Sequence, residues 1–175
     1  MKEHYNYQET LEIIENLMQN SGVRNFCTIV CQGQCCKYCE PKDRCHNNEN
    51  NQRRLCCSNY LCANIFCRLH NDEVADRLCD LEQALEGQYK SILQEPSSDN
   101  TMFFTPTPPA VISQFQIKKE ILDKAVDQLV LQTLQKIMTE RCQDIAKCLF
   151  CHSTMPESEI PRRIDLFKQS LTTQT

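Results

Sequence analysis

The sequence predicts a mainly α fold: a small helical bundle with an irregular cysteine-rich metal-binding module inserted after its first helix. Three observations predict it. Apolar residues recur every three or four positions through most of the chain, ten of the 14 cysteines fall between residues 27 and 67, and no stretch shows the apolar-polar alternation of a half-buried strand.

Residues 1–21 hold the first helix, with Tyr7, Leu11, Ile14 and Met18 at helical spacing and Gly22 as the stop. Residues 22–70 are the cysteine-rich module. Residues 71–94 form an amphipathic helix in which Val74, Leu78, Leu81, Leu85, Tyr89 and Ile92 make the apolar stripe, and Asn71 or Asp72 caps its start. The stretch EPSSDNTMFFTPTPPA, residues 95–110, holds four prolines and no periodicity, and reads as a Pro-rich crossover. Its Met102-Phe103-Phe104 is too apolar to leave in water and is expected to dock on the body. Residues 111–175 form a C-terminal helical region with a second cysteine cluster. There Ile121, Leu122, Val126, Leu129, Leu134, Ile137, Met138, Ile145 and Leu149 mark helix from about 112 to 149, with bends or breaks. Pro156 and Pro161 then precede a short helix carrying Ile164, Phe167 and Leu171 on one side.

A chain of 175 residues can bury a core without covalent staples, so the cysteines need another reason. Three glycines leave no glycine-rich phosphate loop, and a net charge of -4 gives no global attraction to nucleic acid or anionic lipid. No apolar run approaches the roughly 20 residues that span a bilayer. The opening MKEHYNYQETLEIIENLM mixes charge with apolar residues where a secretory signal would be continuously apolar. The expectation is a soluble, cytoplasmic chain with no membrane partner. A secreted disulfide scaffold would spread its staples along the chain, whereas residues 80–141 carry no cysteine. Grouped thiols in a reducing compartment read as ligands for zinc, an iron-sulfur cluster or copper(I).

Within CTIVCQGQCCKYCEPKDRC, short intervals let several sulfurs converge at low entropic cost, and Gly33 permits a sharp turn. Candidate ligands of the module are Cys27, Cys31, Cys35, Cys36, Cys39, Cys45, Cys56, Cys57, Cys62 and Cys67. Ten thiols would suffice for two four-coordinate zinc sites. Adjacent pairs such as Cys35-Cys36 and Cys56-Cys57 are unsuited to giving both sulfurs to one metal. Residues 22–70 contain seven Lys or Arg against three Asp or Glu, so cations are available to compensate thiolates.

Cys148-Leu-Phe-Cys151-His152 has the form of a c-type haem attachment motif, but the compartment argument makes covalent haem an unfavoured reading. Two other readings stay open: a zinc or cluster site using Cys148 and Cys151, completed by Cys142 with His152 as an optional further ligand, and reduced thiols packed at a helix end as small hydrophobes. If these cysteines complete the main site, the third helical region must fold back against the module, whereas an independent site would leave them remote. Cys79, between Leu78 and Leu81, reads as core or core edge. His46 and His70 flank cysteines but sit in polar loops, and Glu12 with Glu15 reads as a solvated carboxylate pair. No serine elbow or other nucleophile-base pairing is visible, so no catalytic residue is assigned.

The run Cys31-Gln-Gly33-Gln-Cys35-Cys36, followed by Arg53-Arg54-Leu55-Cys56 and Asn59-Tyr60-Leu61-Cys62, resembles the bacterial zinc- or iron-chelating cysteine-cluster (YkgJ-like) family. The resemblance covers residues 27–67 only. It implies metal chelation, and by position it implies Cys31, Cys35, Cys36, Cys56 and Cys62 as ligands. The reading is a metal-binding protein holding zinc or an iron-sulfur cluster in a structural, transfer or sensing role. Alternatives are an iron-sulfur redox protein or electron carrier, and a zinc-stabilised module that binds a protein or nucleic acid.

Overall fold

A computed structural model describes residues 2–32, 61, 63–94, 108–151 and 153–173. Cys35, Cys36, Cys39, Cys45, Cys56, Cys57, Cys62, His46, His152 and the Met102-Phe103-Phe104 of the crossover lie outside the described residues.

Helix α1 (Tyr7–Asn20) begins at a reciprocal cap. The Asn6 side chain accepts from the Glu9 N–H at 2.8 Å, and the Glu9 carboxylate accepts from the Asn6 N–H at 3.1 Å. Its buried face is Tyr7, Thr10, Ile14, Leu17 and Met18, with Leu11 half-buried. Gly22 ends it as expected, and with φ of 87° it occupies the left-handed region that residues bearing a Cβ disfavour. The chain restarts as α2 (Val23–Phe26) and widens into a π-helical turn, Cys27–Cys31. That turn closes with the Gln32 N–H donating to the Cys27 carbonyl at 2.9 Å, and Gln32 itself is left-handed at φ 50°.

After α3 (Ala63–Phe66) comes α4 (Asp72–Leu93), where the sequence pattern is followed closely. Asn71 is the cap, its side chain accepting from the Val74 N–H at 3.1 Å, and Val74, Leu78, Leu81, Leu85 and Tyr89 are buried. Ile92, in the last turn, is half-buried. The region expected to be helical from about 112 to 149 is divided. Helix α5 (Pro109–Gln114) uses Pro109 in its first turn, where a missing N–H costs nothing, and ends at Phe115. The chain then extends through β2 (Ile117–Lys118), which pairs antiparallel with β1 (His4–Tyr5) in the register His4 to Lys118 and Tyr5 to Ile117. Two-residue strands are too short to show alternation, which is why the sequence did not reveal them.

Helices α6 (Lys119–Ala125) and α7 (Gln128–Glu140) are separated by Asp127, whose side chain accepts from the Val130 N–H at 3.2 Å and starts α7. Helix α8 (Cys142–Phe150) follows after Arg141, and α9 (Glu159–Thr172) closes the chain's described part. Pro161 falls inside the first turn of α9, not before the helix, because that turn has no intrahelical use for its N–H.

One continuous core joins these elements. On one side α4 packs against α5, α6 and β2; on the other, α9 packs against α2, the π-turn and α8. Helix α7 touches α1, α2, α4 and α8 and so links the two. Phe26 and Phe167 meet edge to face at 5.4 Å between ring centroids, and Tyr7 meets Phe115 at 5.7 Å. The Tyr5 hydroxyl donates to Asp123 at 2.8 Å, fastening the β bridge to α6. The expectation of a solvated Glu12-Glu15 pair fails at Glu15. That carboxylate is half-buried and accepts from the buried Arg24 guanidinium at 2.6 Å, because a cation taken out of water must be matched. Among the described residues no helix is long and apolar enough to cross a membrane.

Arg163 is the second buried cation. Its Nη1 donates to the Val30 carbonyl of the π-turn at 2.8 Å, its Nε donates to Glu159 at 3.0 Å, and its guanidinium lies 5.9 Å from the Phe150 ring centroid. One side chain therefore ties α9 to the π-turn and to α8. Glu159 holds two arginines, Arg162 and Arg163, and their hydrogen bonds lower its pKa to about 2.

Two outcomes follow from this packing. A Cβ on Gly22 would lie 2.9 Å from the Leu171 Cδ2, a flexible methyl that can turn aside, so the backbone conformation is the larger cost. Gly22→Ala should lose about 1 to 2 kcal/mol in urea unfolding, with little recovered by adding Leu171→Ala. The pKa of Glu159 is lowered on folding, so its contribution to stability is present above pH 4.5 and is lost as pH falls towards about 2. The stability gap between the native chain and Glu159→Gln should accordingly shrink across that window. A gap independent of pH would show that the arginines are not acting on the carboxylate.

Candidate metal centre

Five of the expected ligands are described: Cys27, Cys31, Cys67, Cys148 and Cys151. Cys27 and Cys31 are set by the π-turn, which puts one additional residue in the loop of its hydrogen bond and so carries the two cysteines nearly one turn apart. Cys31 is buried and Cys27 half-buried. Phe26 and Val30, the apolar neighbours of these cysteines, hold the turn in the core, and Arg163 takes its Val30 carbonyl.

At the other end of the cysteine-rich stretch, α3 buries Ile65 and leads through a turn to Leu69, also buried, with the exposed Cys67 between them. Helix α3 packs on α8, while the π-turn packs on α9. Both described flanks of the stretch are thus anchored on the hairpin of α8 and α9, which itself carries Cys148 and Cys151.

Arg68 makes the junction. Its Nη2 donates to the Cys148 sulfur at 3.2 Å and its Nη1 to the Cys67 sulfur at 3.4 Å. The Asn64 carbonyl accepts from Arg68 and, at 3.5 Å, from the Cys67 thiol. The bond to Cys148 raises the arginine pKa further, with smaller contributions from Cys67 and Asp144 and opposition from partial burial. Arg68 is one of the seven Lys and Arg residues that the cysteine-rich stretch carries beside its thiols. Charge counting alone does not distinguish it from the other six. The signal was its place directly after Cys67, but the second sulfur comes from a position 80 residues later.

Cys142 does not join this surface. It is 2% exposed and faces the core with Ile145 and Ala146, while Cys148 and Cys151 are exposed. Burial pushes its thiol pKa up, partly offset by Lys168, so it behaves as a small apolar side chain. Cys79 is half-buried at the edge of the α4 stripe, as its neighbours suggested, and its thiol is raised by burial and then by Glu82, Asp76 and Asp80. His70 is exposed with φ of 44° at the turn into α4, and His4 is exposed in β1.

Among the described residues no group of three or more His, Cys, Asp or Glu side chains is gathered closely enough to hold a metal ion. What the described part provides is a set of paired sulfur positions around one hairpin, Cys27 with Cys31, Cys67 with Cys148, and Cys151 one helical turn beyond. No family model matches this chain, and no curated protein or solved structure is significantly similar to it.

Proposed function

We propose that the chain is a cytoplasmic metal-binding protein whose clustered thiolates hold zinc or an iron-sulfur cluster in a structural, transfer or sensing role. The observation that carries the reading is the anchoring of both flanks of the cysteine-rich stretch on the α8-α9 hairpin, beside Cys148 and Cys151. Ligands from distant parts of a sequence serve one region only if the fold brings their bases together first, and short intervals between cysteines reduce the remaining ordering cost.

The proposed ligands remain Cys27, Cys31, Cys35, Cys36, Cys39, Cys45, Cys56, Cys57, Cys62, Cys67, Cys148 and Cys151. Zinc is preferred to a cluster because the sequence lacks the compact ferredoxin run of three cysteines at two-residue intervals. The YkgJ-like resemblance over residues 27–67 supports chelation and suggests no reaction. The Arg68-bearing edge puts a guanidinium on the Cys67 and Cys148 sulfurs, a charge able to compensate metal-bound thiolates.

Elemental analysis of protein purified under nitrogen tests the reading. Zinc in a colourless protein is the expected result; a brown protein with iron and sulfide would select the redox alternative. Replacing Cys148 and Cys151 together by Ser should lower the bound metal if these positions belong to the shared region. Full-length protein that is folded, reduced and free of metal, and that takes up neither zinc nor iron, would end the proposal.

A further inference from the structure

The turn that leads from α3 into α4 and the last turns of α7 border a groove of about 310 Å³. Its floor includes Leu69 and Ile137, both buried in the core. Around them stand Arg68, His70, Lys136 and Arg141, with Glu140 as the one carboxylate among the described residues of the lining. With His70 neutral, three cations against one carboxylate leave +2, in a chain whose net charge is -4. These cations are poorly matched from within. Other helix lysines take a carboxylate one turn away, Lys90 with Glu86 and Lys124 with Glu120 at 3.0 Å, and Lys119 with Asp123 at 2.6 Å. Lys136 and Glu140 have the same spacing on α7, yet among the described residues they form no ion pair. Arg141 meets Asp144 only at 3.5 Å, with both side chains more than half exposed. Arg68 has five N–H groups, of which the Asn64 carbonyl and the Cys67 and Cys148 sulfurs take three. Asn71, also in the lining, accepts from the Val74 N–H through its side-chain oxygen, which leaves its amide NH2 to donate. Charge and donors thus surround a partly apolar floor, where attraction to an anion is stronger than at open surface.

Glu140 narrows the choice of anion. A carboxylate repels a fully ionised oxyanion but accepts a hydrogen bond from one that keeps a proton. Hydrogen phosphate is a dianion, which matches the +2 of the groove, and it carries one O–H. Sulfate has the same charge and no O–H. A long polyanion such as a nucleic acid fits less well, because Asp72 and Glu73 directly follow Asn71 and Asp144 lies three residues beyond Arg141, so its backbone would leave the groove against like charge. We propose that this groove binds hydrogen phosphate, either as the free ion or as the singly protonated end of a small phosphate monoester. Lys136, Arg141 and Arg68 hold the charge, and Glu140 accepts from the phosphate O–H. The site goes beyond the thiolate-metal reading and does not depend on which metal the cysteines hold.

The test is isothermal titration calorimetry of the full-length protein, purified under nitrogen, with sodium phosphate and separately with sodium sulfate, at neutral pH and one ionic strength in a zwitterionic buffer. The expected result is a single phosphate site that binds phosphate about tenfold more tightly than sulfate. Lys136→Gln and Arg141→Gln should each weaken phosphate about tenfold, the loss that goes with one charge-assisted hydrogen bond. Lys136→Arg should keep most of the affinity, and Lys118→Gln, on the β bridge, should leave it unchanged. Arg68 is kept intact in every variant because it also joins α3 to α8. Glu140→Gln should bring sulfate to within about twofold of phosphate, since the like charge is then gone. Glycerol 3-phosphate distinguishes the sources: binding with the same dependence on Lys136 assigns a monoester, and its failure to bind where phosphate does assigns the free ion. Sulfate bound by the native protein as tightly as phosphate would overturn the inference, as would phosphate binding indifferent to Lys136 and Arg141, or none. Tighter binding of a short single-stranded RNA than of phosphate, lost with Lys136→Gln, would overturn it in favour of nucleic acid.

Discussion

Arg163 is the constraint around which the C-terminal half is arranged. A guanidinium enclosed among apolar side chains must find partners for its charge and its N–H groups, and the chain supplies them from Glu159, the Val30 carbonyl and the face of Phe150. Each partner lies on a different element. Satisfying one side chain therefore fixes α9, the π-turn and α8 relative to one another. The edge-to-face contact of Phe26 with Phe167 then excludes water around that junction. Breaking the set would leave a buried carbonyl and a buried charge at once, so its members are expected to form or fail together.

Hydrophobic spacing made the long helices legible, since α1 and α4 follow the periodic stripe and their caps are Asn residues placed just before it. Shorter elements were less visible. The division of the 112–149 region depends on Asp127 choosing to cap and on Phe115 and Ile117 entering the core from extended backbone, neither of which has a periodic signature. The β bridge depends on pairing residues 4–5 with 117–118, a relation that only the folded chain contains.

The candidate site was legible as composition and not as geometry. Counting cysteines and cations indicated thiol chemistry, but nothing in the order of residues says that Arg68 reaches Cys148 or that Cys142, six positions earlier on the same helix, turns inward. Helical periodicity explains the latter in retrospect. Positions 142, 145 and 146 share the inward side of α8, while 148 falls on the outward side. A sequence cluster of three cysteines thus separates into one packing residue and two surface residues.

The anchoring of the π-turn on α9 and of α3 on α8 has a polymer-physical consequence. A loop whose two attachment points are fixed by a hydrophobic core begins with its closure entropy already borne by that core, and further residues between the posts add a penalty that grows only with the logarithm of length. Changes in the number of residues between Cys31 and Ala63, and so in the number of cysteines there, are therefore expected to cost the described body little. Variation in this protein's chemistry can concentrate in that one interval while the helices that frame it stay the same.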